Sequence, residues 1–251
     1  ANSDPTSPQQ VSLSGIGLSP AASLSPTSVP FGNQRLNTTS NPSTVTLTNN
    51  GTANMTITSI SLTGTNASNF ALTNSCGATL ATGANCTMSV TFTPSATGSR
   101  TASISIVDNA PGSPHTVALS GTGTSPVASL SPTSLAFGNQ LINVTSAARN
   151  VTLSNTGSAA MAITGISITG TNANNFAKTT TCGATLAAGA NCTISVTFTP
   201  NGGGAQTATL SLVDDAAGSP HTVTLSGTGT VVTVNPTSLA FGNQRINTTS
   251  S

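Results

Sequence analysis

Four cysteines, two histidines and four aspartates are the residues in this sequence whose types could do chemistry. The cysteines form two identically spaced pairs, Cys76 with Cys86 and Cys182 with Cys192. Such pairs could bind zinc, react as thiols or form disulfides. No further metal ligand or base accompanies either pair, and each pair is local and duplicated. The sequence therefore predicts one disulfide within each pair, which indicates an oxidising compartment.

The histidines, His115 and His221, occupy equivalent places, and the nearest acids are Asp108 and the Asp214-Asp215 pair. One histidine cannot complete a closed metal site, and calcium loops need more carboxylates than these. We therefore predict structural roles, with each histidine at a strand start and the aspartates accepting backbone N–H groups in turns. No metal site and no cofactor are expected.

The residue pattern does not contain a catalytic arrangement either. Serine is so common that a Ser-His-Asp set is not indicated, and the paired acids of glycosidases are absent. The glycines of the SGTGT segments precede neither a helix nor a lysine, so they do not form a phosphate loop. No catalytic residue is predicted, and the chain is not expected to be an enzyme.

These residues belong to an internal repeat, in which Phe137 follows Phe31 by 106 residues. The positions related by this offset are Phe31/Phe137, Phe70/Phe176, Cys76/Cys182, Cys86/Cys192, Phe92/Phe198, Pro94/Pro200 and His115/His221. The block that opens each repeat, LSPTSxxFGNQ, appears a third time towards the C-terminal end as VNPTSLAFGNQ.

The repeat divides the chain into four predicted segments. Residues 1–18 form the final strand of a preceding repeat, residues 19–124 and 125–230 are two whole repeats, and residues 231–251 are the first strand of a following repeat. We interpret the sequence as a window on a longer tandem array. In the alternative interpretation it is a complete subunit whose terminal strands complement its neighbours by β-augmentation.

About seven short segments in each repeat alternate apolar residues with Ser or Thr, and turn signals such as Asn49-Asn50-Gly51 separate them. This pattern predicts an all-β fold of tandem immunoglobulin-like seven-stranded β-sandwiches. Pro26 and Pro30 place the broken first strand at a sheet edge. The inward parity changes within MTITSISLTG, which predicts a β-bulge near Ser59, where the second repeat has Gly165.

Charged residues make up only 4% of the chain, against about 25% in typical soluble domains, and the net charge is +1. This composition gives no basic field for nucleic acid, and no run of about 18 apolar residues is present to span a membrane. Ser, Thr, Asn and Gly replace the Lys and Glu that usually keep sheet edges apart. We therefore expect copies of the chain to associate with one another, end to end or side by side.

Three motifs carry a family resemblance: SPTSxxFGNQ at the start of each repeat, CGATLATGANCTMSVTFTP at residues 76–94, and PHTVALSGTGT at residues 114–124. Together they resemble the bacterial choice-of-anchor D repeat, which is related to the immunoglobulin-like ASH (Hydin-type) domain. The resemblance implies tandem sandwiches in exported bacterial surface proteins, where such repeats serve as spacers, stalks or interaction modules. It supplies no catalytic residues.

The combined expectation is a non-catalytic structural protein, extracellular or at the cell surface, that forms a filament, sheath or stalk. The alternative is an adhesin module that binds glycans or host proteins through loops at one end of the sandwich. Sugar sites usually use an aromatic platform, and the absence of Trp and Tyr weighs against this alternative. A third hypothesis makes the repeats accessory domains of an enzyme.

Overall fold

The structure is a computed structural model that describes residues 10–233, 238–243, 245–247 and 249. The chain divides into two compact units, unit 1 at residues 1–124 and unit 2 at residues 125–251. Each unit contains one four-stranded and one five-stranded β-sheet. The predicted all-β fold of tandem immunoglobulin-like sandwiches is therefore confirmed.

The described residues of unit 1, from residue 10 onward, form nine strands and one three-residue 3-10 helix. Its strands form where apolar and Ser or Thr residues alternate, because this period buries one face of a strand and exposes the other. The strands are β1 (Ala22–Ser25), β2 (Ser28–Arg35), β3 (Ser43–Asn49), β4 (Met55–Thr63), β5 (Phe70–Asn74), β6 (Thr79–Leu80), β7 (Asn85–Phe92), β8 (Gly98–Asp108) and β9 (His115–Thr124), with the 3-10 helix at Ala67–Asn69.

The four-stranded sheet of unit 1 has the order β1-β3-β7-β5, and all its neighbours are antiparallel. The five-stranded sheet has the order β2-β9-β8-β4-β6, in which β2 runs parallel to β9. The broken first strand is thus two edge strands in opposite sheets, with Pro26 between them and Pro30 inside β2. This split and the two-residue β6 turn the seven predicted strands into nine. The predicted edge position of the first strand is confirmed, because β1 and β2 are each the outermost strand of their sheet.

Unit 2 repeats this arrangement. Its elements are β10 (Ala128–Ser131), β11 (Ser134–Leu141), β12 (Arg149–Asn155), β13 (Met161–Thr169), β14 (Phe176–Thr180), β15 (Thr185–Leu186), β16 (Asn191–Phe198), β17 (Gly204–Asp214) and β18 (His221–Thr230), with a 3-10 helix at Ala173–Asn175. The sheet orders are β10-β12-β16-β14 and β11-β18-β17-β13-β15. Among the described residues of both units, no helix is long and apolar enough to cross a membrane.

The core of each unit lies between its two sheets. In unit 1, Phe92 is fully buried and packs against Phe31 and Phe70, with ring centroids 5.7 and 4.9 Å away. The equivalent rings of unit 2 are Phe137, Phe176 and Phe198. Burying a side chain of this kind stabilises the fold by roughly 1.5–3 kcal/mol, so the cluster is a principal contact between the two sheets.

The predicted β-bulge is present in both units. The register between β4 and β8 shifts between Ile57 and Ser59, and the register between β13 and β17 shifts between Ile163 and Gly165. The extra residue changes which side chains point inward. For this reason Ile57 before the bulge and Ile60 after it both pack against the core of unit 1.

The predicted strands of neighbouring repeats fall at the two ends of the chain. Residues 10–21 form no helix or strand, and residues 1–9 lie outside the described part of the chain. Near the other end, residues 231–233 form no strand. The assignment of residues 1–18 and 231–251 to neighbouring repeats therefore stays a prediction.

Candidate functional site

The structure joins the cysteines within each unit. Cys76 bonds to Cys86 with an S–S distance of 2.04 Å, and Cys182 bonds to Cys192 at 2.08 Å. The second cysteine of each pair is buried on β7 or β16, and the first lies in the loop that follows β5 or β14. A sulfur in a disulfide is not a thiolate, so it is neither a nucleophile nor a zinc ligand in this state.

The disulfide loop of unit 1, residues 75–85, contacts both sheets. The backbone N–H of Ser75 donates to the carbonyl of Thr87 on β7 at 2.9 Å. On the other sheet, the N–H of Ile57 on β4 donates to the carbonyl of Ala78 at 2.9 Å. The disulfide therefore fixes a segment that bridges the two sheets, which is a structural role.

A buried aspartate and a histidine meet at the turn between β8 and β9. The Oδ1 atom of Asp108 accepts the N–H of Ala110 at 2.7 Å and lies 3.6 Å from Nε2 of His115. Asp214 and His221 are also 3.6 Å apart in unit 2. Each aspartate holds its own turn, as predicted, and each histidine is the first residue of its strand. The described residues contain no group of three or more potential metal ligands.

Asp215 of unit 2 and the neutral Asn109 of unit 1 occupy equivalent positions and each accept one backbone N–H group. The Oδ1 atom of Asp215 accepts the N–H of Ala162 at 2.9 Å. Asn109 occupies the equivalent place and accepts the N–H of Thr56 at 2.8 Å. Both side chains offer an oxygen acceptor, so the negative charge is not needed for this contact. The Oδ1 atom of Asp215 therefore holds the backbone at the start of β13, as Asn109 does at the start of β4.

Sequence reasoning places Asn49 in a turn, but the structure buries its side chain completely. Its Nδ2 atom donates to the carbonyl oxygens of Ala53 and Leu80 at 2.8 and 3.0 Å. Its Oδ1 atom accepts the N–H groups of Ala21 and Gly51 at 3.2 and 3.0 Å. One amide thus satisfies backbone groups from three separate stretches of chain, which would otherwise be buried without partners.

Asn155 has the corresponding contacts in unit 2. The sequence contains a signal for this role, since Val45, Leu47 and Asn49 follow one another at every second position of β3. Residues with this spacing share one face of a strand. An asparagine on the apolar face of a strand predicts a buried amide, and that signal was missed.

The glycines of the SGTGT segment are required by packing. A Cβ atom on Gly121 would overlap the Phe92 ring, and a Cβ atom on Gly123 would overlap the carbonyl of Ala96. Both glycines lie on the inward-facing parity of β9, where glycine alone leaves room for the aromatic ring and the neighbouring loop. The same overlaps occur in unit 2.

The outward positions of the four-stranded sheet carry mostly hydroxyl groups, and we call this surface the hydroxyl face. In unit 1 it consists of Ser23, Ser25, Thr44, Thr46, Thr48, Ala71, Thr73, Asn85, Thr87, Ser89 and Thr91. In unit 2 it consists of Ser129, Ser131, Asn150, Thr152, Ser154, Ala177, Thr179, Asn191, Thr193, Ser195 and Thr197. No charged residue belongs to either set, whereas sheet surfaces usually carry Lys and Glu.

Three solved structures are similar to parts of this chain. A protein of unknown function from Porphyromonas gingivalis W83 is 11% identical, with a TM-score of 0.36, and the match covers 82% of this chain and 99% of that one. The ASH/PapD-like domain 7 of human CEP192 is 16% identical, with a TM-score of 0.32 and coverages of 42% and 87%. The secreted serine protease VesC from Vibrio cholerae is 14% identical, with a TM-score of 0.31 and coverages of 74% and 47%.

No curated protein is similar to the chain in sequence. The family model for ASH, described as abnormal spindle-like microcephaly-associated, ASPM-SPD-2-Hydin, matches residues 18–116 and again residues 126–222. These two matches cover most of the chain and correspond to the two sandwich units. The resemblance predicted from the sequence motifs is confirmed, and the chain belongs to the ASH family.

Proposed function

We propose that this chain is a structural, non-catalytic extracellular repeat protein, whose tandem immunoglobulin-like units form a filament, sheath or surface stalk. The observation that carries the proposal is the hydroxyl face, which is uncharged in both units. Charged side chains on a sheet surface oppose association, because they must lose water or meet like charges. Copies of this chain can approach one another through the hydroxyl face without desolvating a charge or bringing like charges together.

The contacts that the cysteines and aspartates make support a structural role. The cysteines are paired, and the carboxylates of Asp108, Asp214 and Asp215 accept backbone N–H groups. ASH domains are generally non-enzymatic. Disulfides persist in oxidising compartments, which supports an extracellular location.

Negative-stain electron microscopy of the purified chain at high concentration tests the proposal. We expect elongated or layered assemblies under non-reducing conditions. Only single particles of monomer size over the whole concentration range would overturn the assembly. Reproducible binding to a glycan array by such monomers would instead favour the adhesin module.

A further inference from the structure

We propose that β5 of unit 1 pairs with β5 of a second copy of this chain, antiparallel and centred on Leu72. The two four-stranded sheets then join into one sheet across the pair. This inference rests on the proposed self-association and assigns one contact within it; a contact that closes after two copies cannot build a filament by itself, so larger assemblies need a second surface.

The hydrogen bonds of β5 show which of its backbone groups face outward. The Thr93 N–H donates to the Asn69 carbonyl at 2.8 Å, and the Ser75 N–H donates to the Thr87 carbonyl at 2.9 Å. Odd-numbered residues of this segment therefore bond to β7, because bonding alternates between the two sides of a strand in an antiparallel ladder. The N–H and carbonyl groups of Leu72 and its even-numbered neighbours point to the open edge.

When two copies are related by a two-fold axis, the outward N–H groups of one β5 strand lie opposite the outward carbonyl groups of the other. Each Leu72 N–H meets the Leu72 carbonyl of the other copy, and each Asn74 N–H meets the other copy's Phe70 carbonyl. The Phe70 N–H needs no new partner, since it already donates to the Ala67 carbonyl. Such an isologous contact closes after two copies.

Three other edge segments of unit 1 are less suited to accept a strand. Strand β1 has four residues and stands between Pro20 and Pro26. Strand β2 contains Pro30 and a Gly32 with φ of +66°, where its register with β9 shifts. The start of β4 is covered by the Ala78 carbonyl and by β6. Strand β5 contains no proline, glycine, bulge or charge, and this combination leaves an edge open to pairing.

Unit 2 carries a lysine at the centre of the equivalent edge. Lys178 of β14 lies opposite Val196, as Leu72 of β5 lies opposite Val90. Both side chains are partly buried on the inward parity of their strands. An inward-pointing lysine on an edge strand is a known obstacle to strand pairing. In a pair centred on this position, the two lysines would face each other directly, and like charges in that arrangement are unfavourable.

Unit 1 therefore supplies the pairing edge, and unit 2 is protected from the same contact. Continuity of the hydroxyl face supports this assignment. Ala71 and Thr73 lie outward on β5, so the joined sheet remains neutral across the contact between copies.

Sedimentation velocity of the full oxidised chain over a concentration series tests the inference. We expect the wild type to exchange between monomer and dimer, and Leu72→Lys to lower the association constant at least tenfold. The Leu72→Lys variant should fold, because unit 2 has a lysine at the same place. Val107→Lys is the matched control, since it adds the same charge at an exposed position of β8, a central strand. It should associate like the wild type.

Two further variants act on the same edge in different ways. Leu72→Pro removes an outward N–H without removing a bond to β7, and it should also give monomers if circular dichroism shows a folded chain. Lys178→Leu opens a second edge in each chain and should give species larger than a dimer. An unchanged dimer for Lys178→Leu would contradict the protective role of the lysine.

The outcomes separate this inference from the proposed function. Equal association of Leu72→Lys and Val107→Lys would overturn pairing through β5, while assembly through another surface would stand. A wild type that stays monomeric in solution would also overturn the β5 contact. If electron microscopy then shows no assemblies either, the proposed function falls with it.

Discussion

At the end of β3, Asn49 of unit 1 is buried among backbone groups, and Asn155 takes the same place at the end of β12 in unit 2. The distance between the buried aspartate and its histidine is 3.6 Å in both units. By contrast, the position that is Leu72 in unit 1 is Lys178 in unit 2. The side chains that hold buried backbone groups at these places are shared, whereas the partly buried edge position carries a charge in unit 2 only.

A second difference shows what the fold requires at such a variable position. The Nε atom of Arg100 donates to the carbonyl of Ala96 at 3.2 Å in unit 1. In unit 2, Nε2 of Gln206 donates to the equivalent carbonyl of Gly202 at 2.7 Å. Gln206 is buried and also accepts a hydrogen bond from Asn175, whereas Arg100 is partly exposed. The loop carbonyl needs a donor of sufficient length, and the positive charge is not required.

The largest expected effect comes from removing the shared amide. We predict that Asn49→Ala and Asn155→Ala each destabilise their own unit by about 3 kcal/mol, because buried N–H and carbonyl groups lose their partners. Urea unfolding measures the change. Asn50→Ala, at the exposed neighbouring position, is the control and should change stability by less than about 0.5 kcal/mol. Similar losses for Asn49→Ala and Asn50→Ala would show that the amide is not needed.

The disulfides should make equal contributions to the two units. Each closes a loop with a sequence separation of 10, so chain entropy predicts a loss of about 2.5 kcal/mol when either pair is replaced by alanine. Thermal unfolding of Cys76→Ala/Cys86→Ala and Cys182→Ala/Cys192→Ala measures both. Reductant should then destabilise only the unit that keeps its disulfide. Clearly unequal losses of stability would show that the two disulfides do not contribute equally.

Exchanging the side chains of Arg100 and Gln206 between the two units should lower the stability of unit 2 but not that of unit 1. Gln206→Arg is expected to lower stability by about 1 kcal/mol, because Asn175 loses a buried acceptor. Arg100→Gln should be neutral within about 0.5 kcal/mol, since glutamine can donate to the same carbonyl. Chemical denaturation of the two variants checks this, and a larger loss for Arg100→Gln would reverse the interpretation.

The smallest effect is expected at the additional carboxylate. Asp215→Asn should leave the stability of unit 2 unchanged within about 0.5 kcal/mol, because unit 1 uses Asn109 for the same contact. Differential scanning calorimetry should also show no calcium-dependent shift of the unfolding midpoint in either form. A calcium-dependent shift that Asp215→Asn removes would restore a cation site.

Local pattern was enough to predict much of the fold. The alternation in β3 and β7 and the bulge beside Ser59 each depend on residues within one strand or one turn. The break in the first strand was predicted, but the placement of its two parts in opposite sheets was not, because the pairing of β1 with β3 and of β2 with β9 depends on residues distant in sequence. Likewise, Asn49 could have been marked as inward from its parity. Its partners, Ala21, Ala53 and Leu80, are set by tertiary packing.

The parallel pairing of β2 with β9 has a consequence for mechanical load. These strands lie near the start and the end of unit 1, and six residue pairs are in register, from Ser28–Ala118 to Arg35–Thr124. Tension applied to the two ends of the unit pulls parallel strands past each other, so the ladder is sheared and its hydrogen bonds share the force. Pulling a single molecule by its ends should therefore require a higher rupture force than pulling at points that peel β2 from β9 pair by pair.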